Sequence, residues 1–300
     1  MEPFQEHDVV VVLHDRPDLD MRAGDIGTIV HIFEVPNRAY EVEVSDKRGV
    51  TLALGALLSH EIAPMRVTTA VVPCAGFGTR LRPLTRAVPK ELLPLGDRTL
   101  MDRVLEELRE AGIQRIVVVT RAGKEALARH LEGERDVELV EQREPYGLAD
   151  ALLTAREAVG PLPFLMALPD QLLRGASSQL LARYRCEHTL SSCVTVPDDE
   201  LALFPGAVGF VTDADGFVTG LLSGDEAGNR RGFGRTIFQS GFLAGIPENS
   251  QEGDFGTLFA AALQHGTHRL AHLEGRPIDV GTMPGYLRYW RDQLGWGEVW

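Results

Sequence analysis

The chain has 300 residues, of which 44% are hydrophobic and 24% charged, and its formal net charge is −13. This length allows one large domain or two smaller ones, and the acidic excess argues against binding to nucleic acid or to an anionic membrane surface. No apolar run approaches the roughly 18 residues of a spanning helix, and no secretory signal is visible. Three cysteines without metal-ligand spacing are typical of reduced thiols, so we expect a cytoplasmic protein.

Short apolar or alternating segments, separated by turn residues, fill the first 65 residues. These segments are DVVVVLHD, GDIGTIVHIF, RAYEVEVSD and GVTLALG. Their spacing predicts a small antiparallel barrel. The same part of the chain is strongly acidic, with 12 acidic and 5 basic side chains. Pro64 marks a boundary, so we predict a small β-barrel domain at residues 1–65 and a second domain at 66–300.

Strand-like and helix-like segments alternate from residue 67 onward. TTAVVP has the composition of a buried strand, and RIVVVT, VELVEQ and FLMALPD predict further strands, whereas TLMDRVLEELREAGI, KEALARHL and LADALLTAREAV predict helices. Leu100, Val104 and Leu108 fall on one stripe of the first helix. This alternation predicts an α/β domain with a mixed, mostly parallel sheet flanked by helices.

Strands predominate again after Ser191. The segments SCVTV, AVGFVTDADGFVTGLL and TIFQSGFLAG predict strands, the middle one a hairpin with an Asp-Ala-Asp-Gly turn, and DFGTLFAAALQHG and PGYLRYWRDQL predict late helices. His265, His268 and His272 have no acid or cysteine at ligand spacing. We therefore expect exposed histidines in a strand or loop rather than a metal site.

The segment CAGFGTRLRPLTRAVPKELLP, residues 74–94, concentrates positive charge directly after a predicted strand. Gly76 and Gly78 allow a sharp turn that presents backbone N–H groups to phosphate oxygens. Arg80 adds a planar fork of donors, and Lys90 adds a compact charge. A G-x-G pattern alone favours a structural turn, and both the dinucleotide fingerprint and the P-loop pattern are absent. The added cations favour a phosphate site.

Residues 76–94 resemble the signature of the sugar-1-phosphate nucleotidylyltransferases, G-x-G-T-R-x-x-P-x-T-x-x-x-P-K-x-x-L-P, at every position. The glucose-1-phosphate uridylyltransferases and thymidylyltransferases look closest, and the resemblance covers about residues 67–290. It implies a Rossmann-like fold of the nucleotide-diphospho-sugar transferase type. It also implies catalytic roles for Arg80 and Lys90 and a nucleotide-binding loop that contains Ala75, Gly76, Gly78 and Thr79.

The resemblance assigns roles to residues in three further segments. Asp170 ends FLMALPD and Asp279 lies in IDVGT, and the family uses these two aspartates to bind Mg²⁺. Mg²⁺ prefers a few oxygen ligands shared with substrate phosphates, although spacing alone does not pair these two residues. The segment EQREPYGLADAL is similar to the one that contacts the pyrimidine base in the thymidylyltransferase branch, which implies base contacts by Gln142 and Gly147.

One part of the family pattern is absent. The family carries Glu-Lys-Pro after a hairpin, and its lysine holds the sugar phosphate, whereas this chain has LLSGDEAG there and no lysine after Lys124. Arg230, Arg231 or Arg235 could supply the missing charge, and we take Arg235 as the candidate. Either Gly206 or Gly209 would contact the sugar. The absence is equally compatible with altered substrate choice or lost activity.

These features predict a Mg²⁺-dependent enzyme that joins UTP or dTTP to a sugar 1-phosphate, such as glucose 1-phosphate, and releases pyrophosphate. Its partners would be the nucleoside triphosphate and the sugar phosphate, with no nucleic acid and no membrane. Two alternatives remain: transfer to another phosphorylated alcohol such as phosphocholine, and a catalytically degenerate nucleotide-binding regulator. The barrel resembles small SH3-like bacterial domains of unknown function, so we expect it to bind a protein partner or to form a homo-oligomer.

Overall fold

The computed structural model of the chain describes residues 4–35, 38–46, 48–144, 146–184, 188–205, 207–222, 224–246 and 268–294. Gly206, Cys186, His265 and the helix expected at 254–266 lie outside the described residues. The helices are α1 Leu100–Glu110, α2 Glu125–His130, α3 Leu148–Thr154, α4 Arg156–Val159, α5 Ala176–Arg183 and α6 Met283–Leu294. The strands are β1 Val9–Val12, β2 Ile26–Phe33, β3 Ala39–Ser45, β4 Thr51–Leu57, β5 Ile62–Pro64, β6 Thr69–Pro73, β7 Pro94–Leu95, β8 Arg98–Thr99, β9 Arg115–Thr120, β10 Val137–Glu141, β11 Phe164–Ala167, β12 Gln171–Leu172, β13 Thr189–Thr195, β14 Gly209–Thr212, β15 Val218–Leu222, β16 Arg230–Phe238, β17 His268–His272 and β18 Ile278–Asp279.

The first five strands form a small antiparallel sheet in the order β4-β3-β2-β1-β5. Every second residue of β3 is buried, namely Tyr40, Val42 and Val44, as the alternating sequence predicts. These side chains pack with Phe4 and Leu57 into a core that belongs to this sheet. The predicted small β domain is therefore confirmed.

A seven-stranded sheet begins with β6 and has the order β10-β9-β6-β11-β16-β13-β17. The neighbours β10, β9, β6 and β11 run parallel, β13 runs parallel to β17, and β16 is antiparallel to both of its neighbours. This arrangement confirms the mixed, mostly parallel sheet predicted from the sequence.

Helices cover both faces of the seven-stranded sheet. Successive residues of β6 point to opposite faces, so Val72 packs in one apolar cluster and Val71 in the other. The cluster around Val72 contains side chains of α1, α2 and α5, and the cluster around Val71 contains those of α3 and α4. Because both faces are covered, the central strands β6, β9 and β11 carry consecutive buried apolar residues rather than an alternating pattern.

Two local expectations differ from the structure. LADALLTAREAV forms two short helices instead of one, because the chain tightens at Ala155, whose N–H donates to the carbonyls of Ala151 and Leu152. His268 was expected to be exposed and is buried instead, because it begins β17, which pairs with β13. Its Nε2 lies 2.8 Å from Ser191 Oγ.

The five-stranded sheet of the first domain, called the barrel below, touches the larger domain near Gly24. Ser240 Oγ donates to the Gly24 carbonyl at 2.8 Å, and a Cβ on Gly24 would lie 3.0 Å from Gly241 Cα. The chain between the two sheets is short, since β5 ends at Pro64 and β6 begins at Thr69. No helix in the described ranges is long and apolar enough to cross a membrane.

Candidate active site

A cleft of about 380 Å³ opens where four parallel strands end. The chain continues from β6 to Cys74, from β10 to Gln142 and from β11 to Asp170 at the same edge of the sheet, because parallel strands share their carboxyl ends. The cleft is lined by Pro73, Ala75, Gly76, Arg80, Lys90, Gln142, Gly147, Leu148, Ala151, Leu168, Pro169, Asp170, Gln171, Pro205, Ala207 and Asp279. Most of the residues singled out in the sequence are therefore brought together.

The loop after β6 forms one wall of the cleft. Gly78 has φ +63°, a conformation that favours glycine, and its carbonyl accepts a hydrogen bond from Thr85 Oγ1 at 2.8 Å. Gly76 differs, because a Cβ there would meet nothing within 4 Å. Packing does not require a glycine at position 76, and its backbone borders the open cleft.

A buried ion pair lies beneath this loop. Lys124 Nζ donates to Glu91 Oε1 at 2.9 Å and Oε2 at 2.8 Å, and it also donates to the Cys74 carbonyl. Glu91 is fully buried and lies next to Lys90 in a 3₁₀ turn, so the pair ties the Lys90 segment to the start of the loop. Burial and the neighbouring Glu91 raise the pKa of the Cys74 thiol well above its usual range, which leaves it a packing residue.

Asp170 is the negative centre of the cleft. Its Oδ2 accepts from Lys90 Nζ at 2.7 Å and lies 4.0 Å from Arg80 Nη2. Burial acts to raise the pKa of Asp170, but the charges of Lys90 and Arg80 outweigh it, so the pKa falls below its usual value. Burial likewise opposes the charge on Lys90, and Asp170 and Glu91 outweigh it and raise the pKa of Lys90. Both groups are therefore ionised at neutral pH.

Asp279 lies beside Asp170 because two short strands pair. β12 and β18 are antiparallel with Gln171 opposite Asp279, and Val280 N donates to the Asp170 carbonyl at 2.8 Å. A Cβ at Gly281 would lie 2.6 Å from Asp170 Oδ2 and 3.0 Å from Asp279 Oδ1, so both carboxylates border the same glycine. Burial and the negative charge of Asp170 raise the pKa of Asp279 to about 6.

The chemistry of this pair suits a divalent cation. Two carboxylates that border one glycine offer hard oxygen ligands, and part of the rise in the pKa of Asp279 comes, after burial, from the negative charge of Asp170, which a bound cation would offset. In the part of the chain that the structure describes, no further histidine, cysteine or acidic residue lies close enough to these two aspartates to complete a three-residue metal site. Mg²⁺ fits such a donor set, since it binds one or two carboxylates and takes its remaining ligands from water and phosphates.

Gln142 lies at the opposite end of the cleft and is held in one orientation. Its Nε2 donates to the Asp150 carboxylate and to the Gly147 carbonyl, the latter at 3.4 Å. A carboxylate can only accept, so the NH₂ group must face Asp150. The side-chain carbonyl of Gln142 is therefore the group that remains to accept a hydrogen bond from a ligand.

Of the three sugar-phosphate candidates, Arg235 and Gly209 do not line the cleft. Arg235 is fully buried, pairs with the Glu107 carboxylate and donates to the Leu168 carbonyl at 2.9 Å, so its charge is already neutralised. Gly209 is required by packing, since a Cβ there would lie 2.8 Å from Ala227 Cα. Gly206 lies outside the described residues, although Pro205 and Ala207 on either side of it line the cleft.

The two other arginines considered for the same role, Arg230 and Arg231, are not among the residues that line the cleft. Arg231 Nη1 donates to the Ala207 carbonyl at 3.2 Å, and Arg230 Nη2 lies 3.8 Å from Cys193 Sγ. Among the residues that the structure describes, the cations that line the cleft are Arg80 and Lys90.

Sequence reasoning missed two contributors to the site. Gln171 accepts from Gly234 N at 2.6 Å and donates to Asp279 Oδ2 at 3.1 Å, so it fixes Asp279 against β16. The carbonyl of Pro205 lies 3.4 Å from Arg80 Nη1, which brings the segment before β14 across the cleft. The position of Gln171 directly after Asp170 is a sequence signal for its role. No sequence pattern indicates the contact between Pro205 and Arg80.

Residues 69–294 match the protein family described as Nucleotidyl transferase, and residues 6–64 match a domain of unknown function, DUF4926. The chain is 30% identical over 264 residues to a UTP–glucose-1-phosphate uridylyltransferase of Bacillus subtilis, which covers 74% of this chain and 89% of that protein. It is 35% identical over 138 residues to the enzyme of the same name from Escherichia coli, where the match spans 37% of this chain and 46% of that protein. Among solved structures, a UTP-bound UGPase from Acinetobacter baumannii is 25% identical, with a TM-score of 0.62 over 78% of this chain and 95% of the other.

Proposed function

This chain belongs to the nucleotidyl transferase family, and on that premise we propose that it joins UTP or dTTP to a sugar 1-phosphate, with glucose 1-phosphate as the first candidate. The products would be a nucleoside diphosphate sugar and pyrophosphate. One observation carries the proposal: Arg80, Lys90, Asp170, Asp279 and Gln142 all line one cleft at the carboxyl ends of the parallel strands.

The reaction requires two anions to meet. A phosphate oxygen of the sugar 1-phosphate attacks the α-phosphorus of the triphosphate, the bond from that phosphorus to the β-phosphate oxygen breaks, and pyrophosphate leaves. The protein mainly has to position both substrates and stabilise the developing charge. Arg80 and Lys90 are the described cations of the cleft and would bind phosphate oxygens there.

The backbone at Gly76 would approach the triphosphate, because the space above it is open. Asp170 and Asp279 would hold Mg²⁺, which when bound supplies Lewis-acid stabilisation and a template for phosphate oxygens. The buried pair of Lys124 and Glu91 would keep the loop and Lys90 at a fixed separation, so that the N–H groups and the ammonium act on the same anion.

Base selection would depend on Gln142. Its NH₂ group is held by Asp150, so its carbonyl can accept from the N3–H of uracil or thymine. Cytosine and adenine offer no ring N–H in the corresponding position, and guanine, whose N1–H could donate, is a purine that needs more room, so UTP and dTTP are favoured. Gly147 borders the same part of the cleft and would leave room for the base.

A product assay tests the proposal. The protein is incubated with Mg²⁺, each of five triphosphates and a panel of acceptors that contains glucose 1-phosphate, other hexose 1-phosphates and phosphocholine. Pyrophosphate release is measured and products are identified by mass spectrometry. We expect the highest turnover from UTP or dTTP with a hexose 1-phosphate. Turnover with phosphocholine alone would establish the other acceptor, and binding of a triphosphate without turnover would favour a regulator.

A further inference from the structure

The edge strand β4 carries an exposed apolar stripe. Val50, Leu52, Leu54, Ala56 and Leu58, hereafter the β4 stripe, are all exposed, with 57%, 63%, 51% and 39% accessibility for the valine and the three leucines. They alternate with Ala53 and Leu57, which are buried in the barrel core. The stripe therefore lies on one outward face that runs the whole length of the strand and one residue beyond each end.

The two edges of the barrel sheet are built differently. β5 at one edge has three residues, one of which is Pro64, and such short, proline-containing edges resist pairing with other strands. β4 at the other edge has seven residues and lacks proline, and no charged residue occurs between positions 50 and 58. An edge strand of this kind offers unpaired backbone groups to another strand.

We propose that β4 pairs antiparallel with β4 of a second copy of this chain, which forms a two-fold symmetric dimer through the barrels. The stripe is self-complementary in one register. With Leu54 opposite Leu54 of the copy, Leu52 lies opposite Ala56 and Val50 lies opposite Leu58. A two-fold axis requires such reciprocal pairs, and each large side chain of the stripe then meets an apolar partner.

The charges of the barrel permit this pairing and set its salt dependence. Glu43 lies opposite Leu54 on β3, so the Glu43 side chains of two paired barrels would be about three strand spacings, roughly 14 Å, apart. This separation exceeds the Debye length of about 8 Å at physiological ionic strength. Each barrel is acidic overall, however, so added salt should strengthen the dimer. Binding of a basic partner would instead weaken with salt.

The face that contacts the larger domain leaves β4 open. The barrel meets that domain through Gly24, between β1 and β2, whereas β4 is at the far edge of the sheet. Pairing of one strand buries less than the roughly 1,200–2,000 Å² of a stable interface, so the dimer should form at micromolar or higher concentration.

Sedimentation velocity of the full chain at increasing protein and NaCl concentration tests the dimer. We expect a monomer–dimer equilibrium that shifts toward the dimer as the protein concentration or the NaCl concentration rises. The Leu54→Lys variant should remain monomeric. The matched control is Val35→Lys, because Val35 is 83% exposed at the tip between β2 and β3, outside the stripe. A protein that stays monomeric under all conditions overturns the proposal and leaves the stripe to a different protein. A dimer that persists in Leu54→Lys overturns it as well.

Disulfide trapping tests the register. In a Cys186→Ser background, Leu54→Cys should form a dimer-linking disulfide, because residues opposite each other on antiparallel strands have Cα atoms about 4.5–5.5 Å apart. Cys74 and Cys193 are buried and should not interfere. Leu52→Cys alone should not crosslink, since the cysteines at position 52 of the two chains would be about 14 Å apart. Leu52→Cys combined with Ala56→Cys should crosslink, because these two positions lie opposite each other in the proposed register. Equal crosslinking of Leu52→Cys and Leu54→Cys overturns this register.

Discussion

The Lys124 ammonium donates to both carboxylate oxygens of Glu91 and to the Cys74 carbonyl. These three bonds use all three hydrogens of the ammonium, and both side chains are buried. Lys124 therefore has no capacity left for a substrate. Its role is to hold the start of the loop, at Cys74, against the turn that carries Glu91 and Lys90.

Lys124→Met should destabilise the protein by about 3–5 kcal/mol, because it leaves the buried Glu91 carboxylate without a partner. The free energy of unfolding, measured in urea at neutral pH, checks this value. The double variant Glu91→Met/Lys124→Met is the control, and it should recover much of the loss since no buried charge remains. A double variant as unstable as the single one would show that shape rather than charge sets the cost.

Arg80→Ala and Lys90→Met should each lower kcat by about 10²–10³, because each removes a cation from the cleft in which charge develops. Steady-state rates with UTP and glucose 1-phosphate measure the effect, with circular dichroism to establish that both variants are folded. Arg86→Ala is the matched control, as Arg86 is exposed in the same segment and does not line the cleft. Wild-type rates in either cleft variant would reject the phosphate role of that residue.

The affinity for Mg²⁺ should fall as the pH drops from about 7 to about 5. Asp279 has a pKa of about 6, so at lower pH it takes up a proton that a metal must displace. Calorimetric titration with Mg²⁺, or spin resonance with Mn²⁺, measures the affinity without any turnover. Asp279→Asn should bind weakly at every pH, while Asp198→Asn, an exposed acid outside the cleft, should behave as wild type. Undiminished binding in Asp279→Asn would exclude it as a ligand.

His268 should make stability depend on pH below neutrality. Burial lowers its pKa from 6.5 to about 4, so the unfolded chain binds the extra proton between these values and stability falls as the pH falls. The loss in the free energy of unfolding approaches about 3 kcal/mol as the pH nears about 4. Urea unfolding of wild type and of His268→Gln at several pH values isolates the contribution of His268. The acidic groups titrate in both proteins, so their effect cancels in the difference. The stability advantage of the wild type should shrink as the pH falls, and a constant difference would refute the effect.

The local segments of the candidate site were predictable, and the contacts between them were not. The loop around Gly76 and Gly78, Lys90 and the strand end at Asp170 each lie in a segment whose composition indicates its place at the end of a strand. Asp279 could be paired with Asp170 only through a family resemblance. The physical cause of the pairing is the register of β12 and β18, which no local pattern encodes.

Burial explains the residues that sequence reasoning placed wrongly. An arginine and a histidine are usually exposed, so neither Arg235 nor His268 was expected inside the protein. Each is buried because a partner far away in the sequence accompanies it, Glu107 for the arginine and Ser191 for the histidine. Lys124 was noted in the sequence only as the last lysine of the chain, and its partner Glu91 precedes it by 33 residues. Such pairs appear only once the sheet has brought the segments together.

The buried pair of Glu107 and Arg235 limits which substitutions these two positions can accept during evolution. It ties α1 to β16, and Glu107 accepts in addition from Ser177 N at 2.9 Å. Loss of either member leaves an unpaired charge in the interior, which costs about 3–5 kcal/mol. The total free energy of unfolding of a protein rarely exceeds about 15 kcal/mol. The two positions should therefore change together or stay as they are. A lineage in need of a new cation for its acceptor substrate would have to recruit it from another position.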